Sequence, residues 1–169
     1  EISLDEFYKE INRVENSFIR TESDELTYGM HIILRYEIEK AIFRDNVAVE
    51  DLPALWNQKM QEYLGITPKN DAEGILQDVH WSGGSFGYFP SYLLGNVYDG
   101  MLREQVEKEL GSIDKLLESG QINKITNFLV NNIYKNGGAY NSYDVIKKVC
   151  GKELSVEPII KYYEKKYRK

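Results

Sequence analysis

Two short stretches carry the residue types from which a reaction site could be built. In Ile19-Arg20-Thr21-Glu22-Ser23-Asp24, Arg20 and Asp24 are four residues apart and share a face if the segment is helical. Such a pair is commonly an exposed salt bridge that contributes little to stability. If Arg20 faces a cleft instead, its planar fork can hold a carboxylate through two hydrogen bonds. In the second stretch, Gln77-Asp78-Val79-His80-Trp81, a helical turn would put Gln77, His80 and Trp81 on one side while Asp78 points elsewhere. Tyr88 and Tyr92 follow closely. A phenolic hydroxyl and an imidazole are both suitable donors to an oxyanion developing in acyl transfer. The structural alternative is a hydrogen-bonded polar core, and residue types alone do not choose between the two.

Other chemistries lack their residues. The chain has only two histidines, His31 and His80, and neither begins a His-Glu-x-x-His helix, so metal ligands are not expected within it. His31 stands among Met30, Ile32 and Ile33 and reads as a core or groove histidine. Gly83, Gly84 and Gly87 lack the Gly-Lys-Ser/Thr ending of a phosphate loop; they would let the backbone turn sharply or come close to another group. A formal charge of −6 argues against nucleic acid as partner. The basic run Lys165-Lys166-Tyr167-Arg168-Lys169 suits the end of a solvated helix. No apolar run approaches the roughly 20 residues that span a bilayer, and the first residues lack the pattern of a signal peptide. The single cysteine, Cys150, reads as a buried thiol, and a reducing, cytoplasmic setting is expected.

The elements that must position these residues are helical almost throughout. Ser3 and Glu6 form a capping box ahead of Leu4, Phe7, Ile11 and Val14 at helical spacing. A second helix carries Leu26, Met30, Ile33, Leu34 and Ile38 and ends near Phe43. Asp51 precedes a third, with Pro53 in its first turn and an apolar stripe through Trp56, Met60 and Leu64 that stops at Gly65. Periodicity weakens from Gly65 to about Ser91. Pro90 then opens a long helix with Leu94, Val97, Met101, Val106 and Leu110 inward, closed by Gly111. Shorter helices are expected around Ile113–Leu117, Ile122–Tyr134, Tyr143–Cys150 and Val156–Tyr167. No repeat or linker divides the chain, so residues 1–169 are expected to form a single, all-α, multi-helix domain.

Ile19-Arg20-x-x-Ser23-Asp24 resembles the Ile/Val-Arg-x-x-Ala-Asp motif of M32 metallocarboxypeptidases, and Gly74-x-x-Gln77-Asp78-x-His80-Trp81 resembles their Gly-x-x-Gln-Asp-x-His-Trp motif. Ser23, where alanine is usual, is a small-for-small departure. The resemblance covers essentially the whole chain and implies the C-terminal part of a larger helical, gluzincin-like peptidase with a deep substrate groove. In that family the His-Glu-x-x-His and His-Glu-Ser motifs lie upstream, so the ligands for zinc, or cobalt, are expected in a missing N-terminal part of the same polypeptide. Arg20 is then expected to grip the C-terminal carboxylate of a peptide substrate. His80 and one of Tyr88 or Tyr92 would hydrogen-bond the substrate or its tetrahedral intermediate, and Asp24, Gln77 and Asp78 would complete the substrate-binding set. The resemblance also implies a homodimer and a chain inactive by itself. A non-catalytic helical domain that kept a peptide- or protein-binding groove is the alternative expectation.

Overall fold

The computed structural model describes residues 2–168. Eight α-helices and three short 3-10 turns make up its regular structure, with no strand among the described residues. The all-helical expectation holds. Lys169, the last residue of the basic run, lies outside the described residues. The chain falls into two compact units, one up to Leu93 and one from Leu94.

In the first unit, α1 (Leu4–Ile11) begins at the anticipated capping box: the Ser3 hydroxyl accepts from the Glu6 amide and the Glu6 carboxylate accepts from the Ser3 amide at 2.8 Å. None of its residues is buried, and Leu4, Phe7 and Ile11 stand exposed on it. Helix α2 (Tyr28–Phe43) starts two residues later than its apolar pattern suggests, because Leu26 and Thr27 are held in a turn by Asp24. Helix α3 (Leu52–Leu64) packs on α2 and ends at Gly65, whose φ of 66° is the left-handed cap a Cβ would disfavour. Between them lies the core of this unit: Leu34 and Ile38 of α2 against Trp56, Met60 and Leu64 of α3, each at most 2% exposed. Burying side chains of this size stabilises by about 1.5–3 kcal/mol each.

The segment from Ile66 to Phe89 contains turns and bends but no helix. It is nevertheless anchored, with Ile75 and Trp81 packed against the α2–α3 core and Phe89 buried. The first turn of α4 (Pro90–Leu110) belongs to this unit.

The second unit holds the rest of α4 with α5 (Ile113–Glu118), α6 (Ile122–Asn132), α7 (Ser142–Cys150) and α8 (Glu157–Tyr167). Val97, Met101 and Val106 of α4 are buried as their spacing suggests, whereas Leu94 is exposed and Leu110 half-buried. Cys150 is buried beside Met101 and Ile146, and burial pushes its thiol pKa up. Gly100 is required where α4 meets α8: a Cβ there would lie 2.7 Å from the backbone nitrogen of Ile159.

Candidate carboxylate and oxyanion site

The site residues of the first unit gather around one carboxylate. Arg20 sits in a 3-10 turn (Arg20–Glu22) and is buried. Its Nη2 and Nε donate to Asp78 Oδ1 at 2.8 and 3.3 Å, and its Nη1 donates to the Tyr28 hydroxyl at 3.3 Å. The other oxygen of Asp78 belongs to Arg35, a residue of α2, whose Nε and Nη2 lie 2.6 and 2.5 Å from Oδ2. Gln77 joins the two arginines: its Oε1 accepts from the Arg20 amide at 3.0 Å and from Arg35 Nη2 at 2.8 Å. Its own Nε2 donates to the Phe18 carbonyl.

Aromatic rings wall this cluster. Arg20 lies over Tyr92, 5.1 Å from the ring centre, and near Phe89. His80 touches the same rings, with Phe89 at 4.5 Å, Tyr88 stacked at 6.0 Å and Tyr92 edge-on at 5.9 Å. Its Nε2 and the Tyr92 hydroxyl form a 3.1 Å hydrogen bond whose donor depends on the tautomer. Its Nδ1 lies 3.7 Å from Asp78 Oδ1, too far for a hydrogen bond. Tyr88 is exposed, and its hydroxyl has no hydrogen bond among the described residues.

Burial and charge oppose each other here. Burial would raise the Asp78 carboxyl, but Arg20 and Arg35 hold it below the usual carboxylate range. Burial would lower the Arg20 guanidinium, but the hydrogen bond and charge of Asp78 outweigh it and hold its pKa up. In Arg35 burial wins and brings the pKa down to about 10, still cationic at neutral pH. His31 is fully buried, its pKa pushed down to about 4 by burial and then by Arg35 and Arg20, and neither ring nitrogen has a hydrogen-bond partner. It is a core histidine, as its neighbours in sequence suggest, but not a satisfied one.

Five of the sequence-predicted site residues therefore converge with Arg20: Gln77, Asp78, His80, Tyr88 and Tyr92. Two details depart from expectation. Asp78 does not point away from Gln77 and His80, because residues 74–88 form successive turns instead of a helix. Arg20 and Asp24 do not pair across a helical face; the segment is a 3-10 turn followed by extended backbone at Ser23. Asp24 instead accepts from the amides of Leu26 and Thr27 at 2.9 Å each, from the Thr27 hydroxyl and from the Glu15 amide. That carboxylate fixes the entry to α2 and so the place of Arg20.

Arg35, Glu39 and Tyr28 were not anticipated. Glu39 is buried and accepts from Trp81 Nε1 at 2.9 Å and from the Gly87 amide at 3.1 Å, tying both limbs of the 81–87 loop to α2. His31, Arg35 and Glu39 recur every four residues beside Leu34 and Ile38, so polar residues at core spacing were the available signal.

The Carboxypeptidase Taq (M32) metallopeptidase family pattern matches residues 1–167. The chain belongs to this family. Carboxypeptidase 1 of Bacillus subtilis is 54% identical over 99% of the chain, and thermostable carboxypeptidase 1 of Thermus thermophilus is 40% identical over the same share. Among solved structures, a Pyrococcus furiosus carboxypeptidase superposes with a TM-score of 0.94 at 33% identity, covering 98% of this chain and 33% of its own. Trypanosoma cruzi metallocarboxypeptidase 1 superposes with 0.93 at 38% identity, covering 99% of this chain and 35% of its own. The M32 chain therefore spans about a third of these relatives, matching 33% of the B. subtilis protein.

The metal that the family's description implies has no donor set among the described residues. Among the described residues no three His, Cys, Asp or Glu side chains are grouped to hold an ion. Asp78 is committed to two arginines, and His31 is enclosed beside them. The residues present do not fit a metal centre.

Proposed function

We propose that this chain is the C-terminal part of a metallocarboxypeptidase that releases C-terminal amino acids from peptides, and that it supplies the groups facing the substrate's carboxylate and reacting carbonyl. The observation that carries the reading is the placement of Arg20. Asp78 and Tyr28 take three of the five N–H donors of its guanidinium, leaving two to grip a carboxylate beside the His80, Tyr88 and Tyr92 rings. A peptide held by its terminal carboxylate at Arg20 would present its last amide bond to those rings. Selection of the chain end, and so exopeptidase action, follows from that grip.

The two tyrosines divide the remaining work. Tyr92 spends its hydroxyl on His80 and orients the imidazole, whereas the Tyr88 hydroxyl is the free donor for the carbonyl oxygen as it gains charge. Gln77 and Asp78 keep Arg20 and the loop in register, and Asp24 holds the turn that carries Arg20. Zinc or cobalt would be bound by residues outside this chain, and the chain alone would be inactive. A cytoplasmic homodimer is part of the same reading.

The test is Arg20→Gln in the complete polypeptide that carries this chain, assayed with a blocked dipeptide bearing a free C-terminal carboxylate. KM should rise about a hundredfold, the worth of a charge-assisted bidentate contact. An unchanged KM would remove Arg20 from the site, whereas a complete polypeptide that released no amino acid from this dipeptide would favour a binding domain without this activity.

A further inference from the structure

We propose that Arg35 is a positioning residue for the carboxylate site: by taking one oxygen of Asp78, it leaves Arg20 with positive charge to offer a substrate. This rests on the reading of Arg20 as the carboxylate-binding group.

Arg35 cannot meet a substrate itself. It is 0% exposed. Its donors end on Asp78 Oδ2, on Gln77 Oε1 and on the His31 carbonyl, the last at 2.8 Å from Nη1. Its guanidinium lies over Trp56, 4.7 Å from the ring centre, and near Phe89. A buried cation so enclosed could serve packing alone, but the charge count argues for more. Asp78 gives Oδ1 to Arg20 and Oδ2 to Arg35, so two cations share one anion and the directly contacting groups sum to +1. With Arg20 and Asp78 alone the sum would be zero, and an arriving carboxylate would meet a neutral pair in which Asp78 offsets the attraction of Arg20. In a partly desolvated site that difference is felt far more strongly than in water.

Among the described residues the other carboxylates nearby make no direct contact with either guanidinium: Glu39 accepts from Trp81 and Gly87, and Asp24 from the amides ahead of α2. Arg35 also acts on Arg20 through Gln77, whose one carbonyl oxygen accepts from the side chain of the first and the backbone amide of the second. Charge and position are set by the same residue.

The proposal makes a sign-specific prediction for paired variants of the complete polypeptide. Arg35→Met keeps the volume but returns Asp78 wholly to Arg20, so KM for a free-carboxylate peptide should rise about tenfold or more with kcat little changed. Adding Asp78→Asn removes the neutralising charge and should lower KM from the Arg35→Met value by about threefold or more, without restoring the parent value, because Asp78 also holds Arg20 in register. A purely structural Arg35 predicts the opposite, a deeper loss in the double variant, and that result would overturn the proposal, as would an unchanged KM in Arg35→Met. If Arg35→Met does not fold, by circular dichroism, Arg35→Lys decides: it keeps the cation but loses the fork, so its KM should stay about tenfold or more below that of Arg20→Gln, whereas a KM as high as that of Arg20→Gln rejects charge sharing. Should Arg20→Gln itself leave KM unchanged, the carboxylate reading fails first, independently of Arg35.

Discussion

Arg20 and Arg35 in the first unit and Lys152 and Arg103 in the second all face carboxylates, yet their settings have little in common. The Asp78 side chain is 12% exposed and those of its two arginines 9% and 0%. The side chains of Lys152 and Glu104 are 40% and 48% exposed, and Arg103, 31% exposed, lies 3.4 Å from Glu107 and 3.7 Å from Asp114. In the first case three ionised groups have been taken out of water and depend on one another; in the second, water stands ready to replace either partner. Ion pairs of the same charges therefore carry different consequences, and the buried cluster is where a single substitution should be felt most.

The sharpest way to break that contrast is Asp78→Asn. It leaves Arg35 buried without a counter-ion, and loss of one partner from a buried pair costs about 3–5 kcal/mol. Urea unfolding should show that loss; a change below about 1 kcal/mol would put the cluster on the same footing as a surface pair.

Acid should find the same weakness. Between the ordinary histidine value of 6.5 and about 4, the unfolded chain carries a proton on His31 that the folded chain refuses. Stability therefore falls as pH drops through this window, by roughly 3 kcal/mol at its lower end. The Asp78 carboxyl, held low in the folded state, contributes stability that is present above its unfolded value and is lost as pH falls further. The two effects share a sign. Urea unfolding at pH 7 and pH 4.5 should show the loss, and His31→Asn should flatten it.

Tyr88→Phe sharpens the comparison in function. A lost oxyanion donor lowers kcat by about a hundredfold, near 2.7 kcal/mol, with KM for the carboxylate little moved. Tyr92→Phe should instead act through the orientation of His80 and lower kcat by about tenfold. Equal effects on kcat would undo the division between the two tyrosines.

What could be read from sequence divides along the same line. Helix starts and stops were visible because local chemistry makes them: the Ser3–Glu6 box, Pro90 in a first turn, Gly65 and Gly111 at positive φ after their helices. Arg20, Gln77, Asp78, His80 and the tyrosines stood out by residue type and, more specifically, by their resemblance to family motifs. The bonds among them did not, since Arg20 and Asp78 are 58 residues apart and meet only once the turns of 66–88 have been laid on α2. Arg35 and Glu39 were hidden for a related reason. A helix covered on several sides has no clean polar face, so buried ionic residues in it look like ordinary solvated ones until a partner arrives from elsewhere.

The smallest expected effect tests the other half of the contrast. Lys152→Ala removes the partner of Glu104, whose carboxylate Lys152 holds below the usual range at an exposed position of α4. Side chains this exposed lose little by returning to water, and ordering two long chains offsets much of their attraction, so the coupling energy from the cycle with Glu104→Ala should be below about 1 kcal/mol. It should also shrink further in added salt, because the charges are screened over a distance of about 10 Å at 0.1 M ionic strength. A coupling above about 2 kcal/mol, insensitive to salt, would mean that this pair behaves as a desolvated one. Burial of Asp78 and its arginines would then cease to explain why the first unit responds differently.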